Sequence, residues 1–164
     1  MLDQGNRRRF DGVAWAAAVV LATASVDAAT AGDHRYLVND PTYRTECGSC
    51  HVAYPPALLG AGTWREVMRG LDRHFGTDAS LPASTEAQVR AFLEAGAGKD
   101  SAVVPTLRIS ETRWFRNEHR REVDPSVWKS AAVKSPANCG ACHRQADAGD
   151  YDERSLRLPG GESR

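Results

Sequence analysis

Two stretches of this 164-residue chain share one pattern, Cys47-Gly48-Ser49-Cys50-His51 and Cys139-Gly140-Ala141-Cys142-His143. Cys-X-X-Cys-His is the spacing at which a polypeptide takes up a haem covalently. Two thiols three residues apart fall on one side of a helical turn, within reach of the two porphyrin vinyl groups. The histidine that follows then aims its imidazole at the iron from the same side. All four cysteines of the chain lie in the two motifs, so none remains for a disulfide or a separate metal site. Such a chain must fold around two rigid, flat groups fixed far apart in the sequence.

Paired Cys-X-X-Cys knuckles also occur in structural zinc sites, with four thiolates around the metal. Here the knuckles stand far beyond ribbon spacing. Histidine follows both, although the whole chain has only five histidines. Export, argued next, would also leave free thiols oxidised or chemically occupied. Haem is the expected cofactor, in two copies.

The first 31 residues have the layout of a secretory signal. Arg7, Arg8 and Arg9 form a positive start, Val13 to Ala24 an uncharged apolar run, and Ala29-Thr30-Ala31 a small-residue cleavage site. The apolar run is shorter than the roughly twenty residues that span a bilayer core. Asp11 and Gly12 after Arg7-Arg8-Arg9-Phe10 spoil a twin-arginine match, so general secretion into the periplasm is expected. Residues 1–31 are thus expected to be a cleaved signal and residues 32–164 one domain. Three residues of each sign fall within the signal, leaving 18 of each of the original 21. That balance points away from nucleic acid and anionic membrane surfaces. Two porphyrins would supply core that the modest apolar content does not, and the haem-free chain should fold poorly.

Helical signals dominate, with no sustained alternation of period two. Thr63 and Glu66 make a capping box for a helix reaching about Phe75, stopped by Gly76, with an apolar face of Trp64, Val67, Met68, Leu71 and Phe75. A second helix is expected from Thr85, with Gln88 as box partner, through Val89, Phe92 and Leu93 to Gly96. A third spans Glu111 to Glu122 with a narrow stripe of Trp114, Phe115, Glu118 and His119. Asp124-Pro125 reads as a cap and first-turn proline opening a short helix through Trp128 to Val133. Gly98 to Pro105 and Gly149 to Arg164 read as loop and tail. No internal repeat is visible, so both haems are expected in one unit. The fold expected is all-α, a small single-domain c-type cytochrome of several short helices packed around two covalent haems.

His51 and His143 supply the attached-side iron ligands. For the far side the candidates are His74, His119, His34 and Met68. A lone histidine beside apolar neighbours is ordinarily a half-buried structural residue, but two irons that need ligands reverse that preference for His74 and His119. His34 follows the cleavage point so closely that it ranks third. Met68 sits within the apolar face, where core filling is its ordinary role. Trp64, Trp114 and Trp128 suit porphyrin faces and plain core equally. The run Arg116, Arg120, Arg121 suits haem propionates or an acidic partner, although a solvated helix face is the commoner role.

The chain resembles the bacterial dihaem cytochrome c family over roughly Tyr43 to Pro159. The resemblance rests on four segments in order. The first is Glu46 to His51 running into Ala53-Tyr54-Pro55-Pro56, and the second is Leu71-Asp72-Arg73-His74-Phe75-Gly76. The third is Arg108-Ile109-Ser110-Glu111-Thr112 through Trp114-Phe115 to His119, and the fourth is Ala137 to His143. The resemblance implies two covalent haems with histidine on both sides of each iron. His74 and His119 lie in the shared segments and His34 does not. It further implies electron donation to an oxygen-binding c-type haem protein, the sphaeroides haem protein, with a membrane cytochrome b as the source.

The function expected is periplasmic electron transfer by two bis-histidine haems, with no enzyme activity of its own. The competing readings are a small peroxidase or reductase with one open iron position, and a gas or redox sensor or docked subunit. An enzyme would need a concave substrate site, for which no long insertion is present. The pairing of distal histidines with haems, straight or crossed, cannot be read from spacing.

Overall fold

The computed structural model describes residues 36–99 and 106–159. The signal segment, His34 and most of the expected Gly98–Pro105 loop lie outside the described residues. The described chain is all-α, as expected. It has four α-helices, a series of 3-10 turns and, among the described residues, no strand beyond isolated bridges. None of these helices is long and apolar enough to cross a membrane.

Helix α1, Pro41–Gly48, is one that helical periodicity does not announce. Asp40 caps it, its carboxylate accepting the Tyr43 N–H at 2.7 Å, and Pro41 takes the first helical position. Its one buried residue is Tyr43, so there is no stripe to detect. Helix α2 runs Ala61–Arg69, shorter than the expected Thr63–Phe75. Thr63 is buried inside the helix and does not cap it; Gly60 stands at the cap. Gly70 ends α2, and a 3-10 turn over Leu71–Arg73 follows. The backbone then reverses through Phe75 at φ +50 and Gly76 at φ +101. His74 is therefore presented by a turn, not by the helix that carries Trp64.

Helix α3, Ala83–Ala95, starts two residues before the expected Thr85 and stops at Gly96 as expected. Gln88 does not complete a capping box there; its side-chain amide donates to the Thr42 hydroxyl of α1 at 2.8 Å. Val89 and Leu93 of α3 are 0% and 1% exposed and pack among Trp64, Val67, Met68 and Leu71. An Arg65–Glu94 pair at 3.0 Å links the rims of α2 and α3, and both side chains are exposed enough for it to add little.

After α3 the chain passes Gly98 against residues 57–59, its N–H donating to the Leu59 carbonyl at 2.9 Å. A Cβ on Gly98 would be driven into the Ala57 carbonyl oxygen, which is backbone and cannot swing away. Gly98→Ala is accordingly expected to lower stability by about 1–3 kcal/mol, a typical overpacking cost, and thermal melting of the holoprotein checks this.

Helix α4, Arg113–His119, lies within the expected Glu111–Glu122 span but is shorter at both ends. Thr112 caps it, its hydroxyl accepting the Phe115 N–H at 3.1 Å. The expected helix from Asp124 to Val133 reduces to one 3-10 turn, Val127–Lys129. Asp124 spends its carboxylate on Ser126, two residues on, at 2.8 Å to the N–H and 2.6 Å to the hydroxyl, which closes a local turn instead of a helix. The segment expected as a tail turns back onto the second motif. The Arg157 N–H donates to the Cys142 carbonyl at 3.0 Å, and Leu156 and Leu158 pack beside Val133. That second apolar cluster has only Val133, Ala141 and Cys142 as buried members, against ten in the first.

Candidate functional site

The first motif closes α1. Cys47 is in the last turn, Ser49 and Cys50 follow in a turn, and His51 leaves toward the core. Burial, with Glu46 adding to it, pushes the Cys47 thiol up to about 11. The His51 Nδ1 lies 2.7 Å from the Val52 carbonyl. A carbonyl only accepts, so Nδ1 carries the proton and Nε2 keeps its lone pair for a metal. Tyr54 stacks on this imidazole, 4.6 Å between centroids at 15°.

The turn after α2 brings His74 to face His51, with centroids 6.2 Å apart and planes at 25°. The left-handed Phe75 that makes this possible costs of order 1–2 kcal/mol. Its ring lies against His74 at 4.8 Å and under the Arg108 guanidinium at 4.3 Å, which holds the turn. Burial first, then the His51 ring and Arg108, lowers the pKa of His74 and favours the neutral form, the one able to bind a metal.

The second motif forms a 3-10 turn, Cys139–Ala141, and the His143 N–H donates to the Cys139 carbonyl at 2.8 Å. Burial pushes the Cys139 thiol up to about 11. His143 faces His119, with centroids 6.3 Å apart and planes at 82°. The His119 Nδ1–H donates to the Phe115 carbonyl at 2.8 Å, so its Nε2 is also available. Phe115 stacks on it at 4.0 Å and Trp128 meets it edge-on at 5.7 Å. His143 is itself shifted toward neutrality, by burial and then by His119, with Asp150 opposing.

The structure therefore brings His74 opposite His51 and His119 opposite His143. Met68 is buried in the first core cluster beside Val67 and Leu71, its ordinary role. Of the three tryptophans, Trp64 is core, its indole N–H donating to the Pro56 carbonyl at 2.7 Å. Trp128 flanks His119, and Trp114 is 43% exposed. Arg116, Arg120 and Arg121 are exposed. Tyr54, Tyr151 and the carbonyls of Val52 and Phe115, none of them anticipated as site groups, surround the four imidazoles. Tyr54 alone had a signal, as an aromatic three residues past the first motif.

The donor set can be tested against a haem. With a metal–imidazole bond of about 2 Å and a ring atom about 1.1 Å from its centroid, given ring bonds near 1.33 Å, two axial imidazoles on one metal have centroids roughly 6.3 Å apart. Both pairs match that spacing. Facing imidazoles supply two axial donors and no equatorial ones, which is what a porphyrin completes. Among the described residues no three His, Cys, Asp or Glu groups converge to hold a bare metal ion, so zinc is disfavoured by geometry as well as by spacing. A cavity of about 590 Å³ lies between Cys47, His51 and His74, walled by Trp64, Met68 and Leu71. Its far wall is Phe115 with residues 136–139, so the same space borders both motifs. The His143 Nδ1 and the Tyr151 hydroxyl are buried without a protein partner among the described residues, beside the second motif. The residues fit two haems.

The sequence profile of the dihaem cytochrome c family matches residues 43–151. Among solved structures, DHC purified from Rhodobacter sphaeroides is 43% identical, with a TM-score of 0.63, covering 70% of this chain and 99% of that one. A second structure, a diheme cytochrome c from Rhodobacter sphaeroides, is 42% identical at TM-score 0.64, covering 70% and 98%. A diheme cytochrome type c from Shewanella baltica is 33% identical at TM-score 0.66, covering 75% and 95%. No curated protein matches the chain. A helical frame, two thiol-rich motifs and a matching family profile agree: this chain belongs to the dihaem cytochrome c family and carries two haem c groups.

Proposed function

We propose that the protein is an exported, periplasmic one-electron carrier with two bis-histidine haems. Cys47 and Cys50 hold the first haem and His51 and His74 ligate its iron; Cys139 and Cys142 hold the second, ligated by His143 and His119. The single observation that carries this reading is the pair of imidazole separations, 6.2 and 6.3 Å, each the span of one iron between two rings. When bound, haem c supplies reversible one-electron exchange at iron. The protein's part is to keep both axial positions filled, so that no substrate reaches the metal, and to fix each ring by a backbone carbonyl or an aromatic neighbour. Histidine on both sides sets lower potentials than methionine would. By family analogy, the acceptor is an oxygen-binding c-type haem protein and the donor a membrane cytochrome b, met through a small transient interface.

Electron paramagnetic resonance of the oxidised protein tests this. Each imidazole donates π density perpendicular to its plane. Near-parallel rings split the two iron dπ orbitals, and near-perpendicular rings leave them almost degenerate. Two low-spin signals of equal weight are expected, one rhombic from the His51–His74 centre at 25° and one strongly anisotropic from the His143–His119 centre at 82°. The reduced protein should not bind carbon monoxide. A high-spin signal, or carbon monoxide binding by the intact protein, would favour the enzyme reading.

A further inference from the structure

His51 and His119 each fix their ring by donating Nδ1–H to a backbone carbonyl, that of Val52 or of Phe115. The His74 ring has no hydrogen bond among the described residues. It faces His51 at 6.2 Å and meets Phe75 edge-on at 4.8 Å and 62°. Phe75 cannot fix that angle unaided, because it stands at φ +50 and is 45% exposed. What holds Phe75 is Arg108, whose guanidinium carbon lies 4.3 Å from the ring centroid. Arg108 is the extended residue before the 3-10 turn Ile109–Glu111. Its carbonyl accepts the Glu111 N–H at 2.9 Å, and its Nε lies 3.6 Å from the Glu111 carboxylate. The same side chain lines the 590 Å³ cavity together with His74. Its charge reaches the imidazole, ranking after burial and His51 in holding His74 neutral. The charges of the turn itself are spent at the surface. Arg73 pairs with Asp72 at 3.4 Å, and the Asp78 carboxylate accepts the Ser80 N–H at 2.9 Å. Glu46 also lines the cavity, next to Cys47, and is exposed.

We propose that Arg108 is the positioning residue of the His51–His74 centre: stacked on Phe75 it fixes the angle of the His74 ring, and its guanidinium makes that iron easier to reduce. Reduction by a one-electron donor protein turns ferric iron ferrous and removes one unit of positive charge from the centre. No bond forms or breaks, and no proton moves. A fixed positive charge nearby disfavours the ferric form and so raises the potential. Arginine keeps its charge at every accessible pH, so the bias is constant. The inference rests on the proposed ligation of the first iron by His51 and His74.

Three variants separate the stacking from the charge. Arg108→Gln removes both, and Arg108→Lys keeps the charge but loses the planar stack. Glu111→Gln keeps the stack and strips the guanidinium of its counter-charge. The measurement is a potentiometric titration of the holoprotein followed by electron paramagnetic resonance, each low-spin signal being read separately. At fixed poise, Arg108→Gln should shift the first centre about tenfold toward ferric, which is about 59 mV for one electron. The spread of the rhombic g values should change with it. Arg108→Lys should restore most of the potential but not the g values. Glu111→Gln should raise the potential, by a smaller amount because the pair is half exposed to water, and leave the g values alone. The strongly anisotropic signal should keep its g values and potential in all three. An unchanged rhombic centre in Arg108→Gln would overturn the proposal. Equal shifts at both centres would also overturn it, because general loosening would then explain them. If Arg108→Gln does not retain haem, Glu111→Gln decides alone, and a fall in potential or none at all refutes the bias. A wild-type protein without a rhombic low-spin signal overturns the ligation and the inference with it, a failure distinct from that of Arg108.

Discussion

Replacing His74 with alanine is expected to leave both haems covalently attached and to turn one of the two high-spin, with carbon monoxide binding at that centre alone after reduction. His119→Ala should do the same at the other centre. The first variant should abolish the rhombic signal and the second the strongly anisotropic one, so the two spectra are complementary halves of the wild type. The reason is local. Each distal imidazole has one facing partner, His51 or His143, and among the described residues no other histidine is near enough to take its place. Met68 is committed to the core with Val67 and Leu71. The thioethers form at Cys47, Cys50, Cys139 and Cys142 and do not depend on the far side. A wild-type spectrum from either variant would refute the assignment for that iron.

The second large effect concerns the haem as core. Substituting serine for Cys139 and Cys142 should prevent retention of the second haem, and the chain after about residue 106 should then become rapidly cleaved by protease while α1–α3 stay resistant. That half has only three buried apolar residues in its own cluster, too few to hold a run of 3-10 turns without the porphyrin. The corresponding loss at Cys47 and Cys50 should be worse. The cavity of about 590 Å³ beside them is walled by Trp64, Met68 and Leu71, all members of the main core cluster. Global unfolding is expected there, read by circular dichroism. Intact near-native melting in either double variant would show that the porphyrins are passengers in the fold.

Much of this was legible in the residues. The attachment motifs carried their chemistry in their spacing, and the stripes of α2 and α3 marked the core because Trp64, Val67, Val89 and Leu93 recur at helical intervals. Helix α1 escaped because one buried tyrosine makes no period, although Asp40-Pro41 was a start signal of the same kind as Asp124-Pro125. The latter signal misled, because Ser126 captured the aspartate before a helix could form. Thr63 misled similarly, since burial outweighed its capping propensity. That His74 would face His51 could not be read, because it depends on Gly70 ending α2 early and on the reversal at Phe75 and Gly76. Residues near the second motif gave weak signals because a porphyrin, and not the chain, supplies the packing that would impose a pattern. His34 lies outside the described residues.

The two proposed distal ligands hang from different supports. His119 belongs to a helix and is tied to it by the Phe115 carbonyl, so its ring angle cannot change without moving α4. His74 hangs from a short left-handed turn outside any helix, steadied by Phe75 and Arg108. Substitutions in that turn can rotate the imidazole while leaving the hydrophobic interior alone. One proposed centre is thus tied to a helix, and the other can be tuned by substitution in its turn.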